Sequence, residues 1–554
     1  MWKWMKKTGA GASSQTSTSG RGIIPSEYLQ ESGHPREVSG ILDDDIWLIQ
    51  ELMKNNEDLV VRNFQLFDST PASLVFLTSL SDQEVIRSYL LKPLMTHSKD
   101  GGPAPDIETG EQLSDYIVNQ VIQVSHIKTS TEIKQLVDNL TRGQTILLVE
   151  GISHYFLTDT RHIQKRAIEQ PQTEQVIRGP REGFIEQLET NLSLLRYRLQ
   201  TPDFRVEAMQ IGRLTKSEVA FCYIQGITNP VLIHETKKRL SSIDTDAILD
   251  AGFLEQFIED HPLSPFPQIQ NTERPDKTVA ALLEGRVVIM VDGSPFALIA
   301  PTVFTQFYQT VDDYTERFLI ASMIRIIRLI ALVFSLLFPA LYVSVISFNP
   351  ELIPTDFAVA VAGARAGVPF PAMLEVLIME VSMEILREAT IRLPQLIGGA
   401  LSIVGVLVIG QAAVSAGFSS PITVVIIALT TVGSFATPAY NAAIALRMLR
   451  FPLIILAGSF GLYGVMLGVI LIVNHMLSIR SFGIPYLAPL VPFNAQGWKD
   501  TFLRGPLWGM KKRPDHLQTM NRNRRNQTDK YFRSHSSVWD SIPEATEEQE
   551  GAKP

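Results

Sequence analysis

The sequence predicts an α/β cytosolic N-terminal region built from two similar subdomains and followed by an α-helical transmembrane domain. Three observations predict it. Charged residues, 19% of the 554, crowd into the first three fifths of the chain and into its tails. Between Leu329 and Val473 lie four long apolar runs free of charge. Ahead of them, one pattern of strand-forming residues occurs twice. A chain of this length is expected to hold more than one folding unit.

The opening MWKWMKKTGAGASSQ is basic but has no apolar segment behind its charges, which argues against a cleaved signal peptide. Residues 1–40 are read as a disordered tail, because GAGASSQTSTSGRG is small and polar without a hydrophobic period. The first α/β subdomain is assigned to 41–172. Asp43 to Asn55 has the spacing of an amphipathic helix, and SLVFLTSL, Ser73 to Leu80, reads as a buried strand.

GQTILLVEGISHYFL from Gly143 and GRVVIMVDGSPFALI from Gly285 share one plan: Gly, an apolar run, an acid followed by Gly, and a second apolar run. Glu150-Gly151 and Asp292-Gly293, 142 residues apart, mark hairpins, since Gly supplies the positive φ of a tight turn. SLVFLTS and EVAFCYI (Glu218 to Ile224) repeat at an offset of 145. The second subdomain is therefore placed at 204–316. Residues 173–203 are read as a helical linker in which Phe184, Leu188, Leu192, Leu195 and Leu199 form one apolar stripe, ended by Pro202. Cys222, alone in the chain, cannot form an intrachain disulfide and reads as a small buried residue of a reducing compartment.

The helical membrane domain is assigned to 317–495. Leu329 to Ser347 carries no charge over nineteen residues, nearly enough to span a ~30 Å hydrocarbon layer at ~1.5 Å per residue. Leu396 to Gly417, Pro421 to Pro438 and Phe451 to Val473 are further spans. Arg317, Arg325 and Arg328 ahead of the first, against Glu351 and Asp356 behind it, put the N-terminal region in the cytosol. Arg447 and Arg450 mark the same side, as does the tail 496–554, basic at Lys511, Lys512, Arg513, Arg522, Arg524 and Arg525 and then acidic. Counting Glu375 to Thr390 as a fifth span sends that tail outside, unless SFGIPYLAPLVPF, Ser481 to Phe493, re-enters or crosses.

That fifth segment, EVLIMEVSMEILREAT, supplies the ion-path candidates Glu375, Glu380, Glu384, Arg387 and Glu388. On a helix Glu380, Glu384 and Glu388 share one narrow face with Arg387 beside them, and the pairs Glu384–Arg387 and Glu388–Arg392 are in reach. Ionised groups inside a bilayer need water or partners. Either the stripe lines a water-filled path, where an oligomer would repeat it as carboxylate rings that favour cations, or it makes a polar contact with another helix, or the helix lies on the membrane surface or against the soluble domain. Pro339, inside the first span, is a hinge candidate or a packed bend. Gly461, Gly464 and Gly468 are helix-packing candidates, letting helices approach closely within the bundle or between subunits.

The net charge of −8 argues against nucleic acid as a partner. His234-Glu235 is not continued to a second metal-ligand His, no Walker loop is present, and no Cys pair offers a metal site. The sequence thus points away from an enzyme, and no catalytic, metal or cofactor residue is assigned. Nor is an inverted repeat visible among the spans, as a secondary transporter would show.

Six stretches together resemble one family: VIRGPREGFIEQLETNLSLLRYRL, EGRVVIMVDGSPFALIAPTVF, PALYVSVISFNPELIPT, RAGVPFPAMLEVLIMEVSMEILREA, RLPQLIGGALSIVGVLVIGQAAVSAG and FATPAYN. They look like the A subunits of GerA-type spore germination receptors, from about Ile41 to Pro492. The resemblance implies a nutrient-sensing complex of the bacterial spore inner membrane, with a multi-spanning, transporter-like B subunit and a C lipoprotein as partners. It also implies a two-part cytosolic domain and a homo-oligomeric ring, proposed as a pentamer, that opens as a nutrient-gated cation channel. Paralogues outside receptor operons amplify ion release, and a non-conducting signalling or scaffold role remains the competing class. The family's nutrient pocket is attributed mainly to the B subunit, so no ligand residue is carried onto this chain.

Overall fold

The fold is seen in a computed structural model that describes residues 25–31, 36–67, 70–96, 109–162, 170–391 and 408–524. The chain divides into two compact units, Met1–Ile163 with Arg196–Val206, and Gln164–Leu195 with Glu207–Pro554.

The first unit carries helix α1 (Leu42–Leu52), strands β1 (Leu59–Leu66), β2 (Thr70–Leu77) and β3 (Ile127–Ser130), helix α2 (Ile133–Thr141), and strands β4 (Thr145–Val149) and β5 (Tyr155–Thr158). The sheet order is β1-β2-β4-β5-β3, and every pairing is antiparallel. All five residues of β4, TILLV, are buried, as expected of a strand covered on both faces. One face packs Val75, Ile146 and Leu148 against Ile46, Ile49, Leu136 and Leu140 of the two helices. The other packs Leu74, Leu147 and Phe156 against Ile86, Leu90, Ile117 and Val121.

The second unit repeats this plan with helix α3 (Leu188–Arg198) and strand β6 (Phe204–Ile211), both of which cross the boundary between the units, and strand β7 (Ser217–Ile224). Helices α4 (Pro230–Ser241) and α5 (Ala251–Ile258), strand β8 (Gln270–Thr272), helix α6 (Pro275–Glu284), and strands β9 (Val287–Val291) and β10 (Ala297–Ala300) complete it. The order β6-β7-β9-β10-β8 is that of the first sheet, strand for strand. Both predicted hairpin turns form, with Gly151 at φ 81° and Gly293 at φ 86°. Cys222 is buried in β7.

The acid of each turn also does the same task. Glu150 Oε2 accepts the amide of Leu42, the first residue of α1, at 2.8 Å, and Asp292 Oδ1 accepts that of Leu188, the first of α3, at 3.1 Å. A carboxylate there satisfies an orphan donor and meets the positive end of the helix. The helix read as a linker thus holds in the second copy the place that α1 has in the first. Its helical part is shorter than the apolar stripe: Phe184 is buried but precedes α3.

The second sheet is followed by α7 (Phe318–Phe348), α8 (Thr355–Arg365), α9 (Ala372–Ile391), α10 (Pro421–Phe435) and α11 (Tyr440–Ser478). Helices α7 and α11 are long and apolar enough to cross a membrane, while α10 is apolar but shorter. On α7, Ala321, Arg325, Leu332, Ser335, Pro339 and Tyr342 are buried at helical spacing, while Leu319, Met323, Ile330 and Val333 stay exposed. The helix continues through the buried Pro339. Of the four expected spans, Leu396 to Gly417 falls largely outside the described residues.

The expectation of a single span over Phe451 to Val473 is corrected. Gly461 has φ 62° and ψ −143°, outside the helical region, and there the chain reverses. A Cβ added to Gly464 would fall on the carbonyl oxygen of Leu456, and one added to Gly468 would lie 2.5 Å from Leu453 Cδ2. A straight helix would hold Leu453 and Gly468 ~22 Å apart. Thus α11 is an antiparallel helical hairpin with two legs, each ~25–30 Å long.

Contacts define two ends of the bundle. At the near end, toward the second sheet, Asp313 accepts Arg325 Nε at 2.9 Å and Arg328 Nη1 at 3.1 Å, and Ala439 N donates to Phe307 O at 3.3 Å. Ser264 Oγ and His475 Nε2 meet there at 2.9 Å. Burial alone would raise the Asp313 carboxyl pKa, but the guanidiniums of Arg328 and Arg325 hold it below the ordinary carboxylate value. At the far end the hairpin tip, Gly461, faces Phe348, where α7 stops. Both ends of α11 therefore return to the near side. Ser481 to Phe493 does not cross: Ser481 Oγ donates to Gln268 O at 2.7 Å, and Phe304 N donates to Tyr486 O at 2.8 Å, so this segment docks on the second α/β subdomain.

Candidate functional site

The acidic helix α9 runs from the far end, where Met373 lies against Gly458, to the near end. Its charges meet α8, α10 and the first leg of α11. Glu375 is wholly buried; its Oε2 accepts Arg365 Nε at 3.2 Å, and its Oε1 accepts Ser419 Oγ at 3.2 Å and the amide of Ser420 at 2.7 Å. One turn and a half on, Glu380 is 6% exposed and both its oxygens accept Arg450 Nη1, at 3.1 and 3.0 Å.

Glu384 comes next and is different, with 39% of its side chain exposed. It stands 3.5 Å from Arg447 Nε and 3.5 Å from Arg387 Nη1. Arg387 Nη2 donates to Ser434 Oγ at 3.4 Å, and its guanidinium lies 5.0 Å over the Phe435 ring. Glu388 is exposed at the near end. Its predicted partner Arg392 lies outside the described residues.

The arrangement is a ladder of carboxylates and arginines whose rungs fall in antiparallel register, Glu380 to Arg450 and Glu384 to Arg447. Around the two lower rungs Arg387, Arg447 and Arg450 face Glu380 and Glu384, so among the described residues cations exceed anions by one. Arg450 Nε and Nη2, Arg447 Nε and Arg387 Nη1 are buried without a hydrogen-bond partner. Chemically the upper ladder neutralises charge and binds helices together. Only its near end, at Glu384 and Glu388, presents carboxylate to the outside.

Arg447 and Arg450, which the sequence places on the cytosolic side, lie toward the near end of α11 and are 6% and 2% exposed within the bundle. A signal was available: Arg447 and Arg450 are three apart on a helix, matching the four-residue step of Glu380 and Glu384 on an antiparallel neighbour. The remaining candidates lie elsewhere. Pro339 is in the core of α7, Gly461 forms the hairpin tip, and Gly464 and Gly468 let its legs touch. Among the described residues no group of three His, Cys, Asp or Glu is placed to hold a metal.

The family model for the Bacillus/Clostridium GerA spore germination protein matches residues 48–516. Spore germination protein KA of Bacillus subtilis (strain 168) is 41% identical over 490 residues, 88% of this chain and 89% of that protein. Spore germination protein GerLA of Bacillus cereus is 38% identical over 484 residues, 87% of this chain and 97% of that one. The crystal structure of the N-terminal domain of the A subunit of the Bacillus megaterium spore germinant receptor GerK3 is 34% identical, covering 49% of this chain and 98% of that one with a TM-score of 0.37. This chain belongs to the GerA family of spore germination proteins.

Proposed function

We propose that the chain is the A-type subunit of a nutrient-sensing germinant receptor in the spore inner membrane, with its α/β region on the cytosolic, spore-core side. It assembles with further copies of itself, with a multi-spanning B subunit and with a C lipoprotein, and the ring conducts cations when the nutrient signal arrives. The observation that carries this reading is the split along α9: Glu375 and Glu380 are sealed by arginines, while Glu384 and Glu388 open outward at the near end. In a ring those outward groups form a carboxylate mouth that concentrates cations. The apolar faces of α7 and α11 supply surface for lipid and for neighbouring subunits.

A second reading is favoured by the anchors at the near end. The start of α7 and both ends of α11 are tied to the second α/β subdomain, as a signalling subunit that conducts nothing would also need.

Potassium release distinguishes them. Purified receptor complex in potassium-loaded liposomes, given a mixture of amino acids, sugars and nucleosides, is expected to release potassium. Glu384→Gln should then lower conductance or cation selectivity while assembly is kept. A complex that responds to nutrient by change of shape yet passes no potassium supports the signalling reading instead.

A further inference from the structure

The C-terminal segment after Phe493 folds back on the second α/β subdomain. Met520 N donates to Ile227 O at 3.0 Å, Asn229 Nδ2 donates to Gln518 O at 3.1 Å, and Arg513 Nε donates to Leu283 O at 2.7 Å. Between this segment and the subdomain lies a cavity of about 300 Å³, at the small end of ligand pockets. Six cations line it: Arg286, Lys499, Lys511, Lys512, Arg513 and Arg524.

Three carboxylates share the lining, and each is already engaged. Glu284 faces Arg286 at 3.4 Å, Asp500 accepts Arg325 Nη1 at 2.9 Å, and Asp515 accepts Asn494 Nδ2 at 3.2 Å. Lys499, Lys512 and Arg524, by contrast, have no carboxylate partner among the described residues. The guanidinium of Arg513 is held by backbone carbonyls of Leu283, Asn521 and Asn523 rather than by a counter-charge. Burial, and then the like charge of Arg524, push its pKa below the ordinary arginine value. His516 Nε2, also in the lining, is buried without a partner. Burial and Arg286 push that imidazole down to about 3, so it is neutral at physiological pH and offers a hydrogen bond rather than a charge.

We infer that this cavity is a binding site for a phosphate-bearing anion. Converging lysines and arginines fit phosphate oxygens, and the three carboxylates that would draw a cation are already engaged. The site stands at the root of α7: Asp500 binds Arg325, and Ser322 Oγ donates to Arg504 O at 3.2 Å. That depth allows two sources of the same chemistry, an anionic lipid headgroup or a soluble phosphate compound. Occupancy would clamp the C-terminal segment to the subdomain that anchors α7, whether or not the bundle conducts.

The test uses the full chain in lipid nanodiscs and reads the thermal midpoint. Inorganic pyrophosphate is titrated against chloride at matched ionic strength in phosphatidylcholine discs, and in a second arm phosphatidylglycerol is added to the discs without pyrophosphate. A saturable rise with pyrophosphate assigns a soluble anion; a rise with phosphatidylglycerol alone assigns a headgroup. Either supports the site if Lys499→Ala with Lys512→Ala weakens the response about tenfold or more, as loss of charge-assisted contacts implies. Removing two exposed lysines of the first subdomain, Lys128→Ala with Lys134→Ala, should leave it intact. Should the double cavity variant fail to fold, Arg524→Gln is read in its place. No rise in either arm, or an equal response in the cavity and control variants, overturns the inference.

Discussion

Glu380 and Arg450 meet at 6% and 2% exposure, where water cannot share the work of stabilising either charge. Taking both from water costs several kcal/mol, which their mutual attraction offsets only while the pair is intact. Arg450→Ala should therefore destabilise the bundle by about 3–5 kcal/mol, because it leaves Glu380 buried without its hydrogen-bonded partner. The double variant Glu380→Gln with Arg450→Met should recover most of that loss, and thermal unfolding in detergent of the two variants checks the difference. Equal losses would mean that packing, not charge matching, dominates this site. The need of these glutamates for shelter was legible in the sequence from their four-residue step in an apolar stretch. The identity of the shelter was not, because Arg365, Arg447 and Arg450 reach α9 only through tertiary packing.

At the scale of elements, the two β-hairpins could be read in advance and the helical hairpin could not. A strand alternates or stays apolar for a few residues and then stops at Glu-Gly or Asp-Gly, so its turn is punctuated. The legs of α11 are apolar nearly all round, and Gly461 falls in a series of small residues that equally suits close packing. Its torsion tells them apart. Gly461→Ala forces a side chain into φ 62° and brings a Cβ 3.0 Å from Phe348 Cβ, so a loss of about 1–2 kcal/mol is expected. Gly363→Ala, on α8, meets nothing and should leave stability unchanged or raise it by a few tenths to ~1 kcal/mol. Paired thermal midpoints of the two variants measure this, and equal effects would contradict a reversal at Gly461. The helix expected to run from Phe184 to Pro202 is shorter at both ends: α3 starts four residues after Phe184, where Asp292 caps it at Leu188, and stops at Arg198, ahead of the proline.

For the whole molecule, the duplication was visible as offsets of 142 and 145, and it proves to include strand order, turn glycines and the acid that caps each leading helix. The parity of the membrane region was not visible. It depends on the reversal at Gly461, which returns the chain to the near end and leaves the C-terminal segment beside the second α/β subdomain where α7 also begins. Ser481 to Phe493 need not cross anything to achieve this. Charge is distributed accordingly: carboxylates paired with arginines inside the bundle, carboxylates at the near rim, and cations in the cavity at the root of α7.

The split along α9 is open to direct measurement by reaction of single cysteines with a charged thiol reagent in membranes open on both faces. Cys222 is buried in β7 and stays out of its reach. Glu384→Cys and Glu388→Cys are predicted to react quickly, and Glu375→Cys and Glu380→Cys to stay protected. Reaction at 380 as fast as at 384, or protection of both 384 and 388, would contradict a sealed ladder that opens only at its near end.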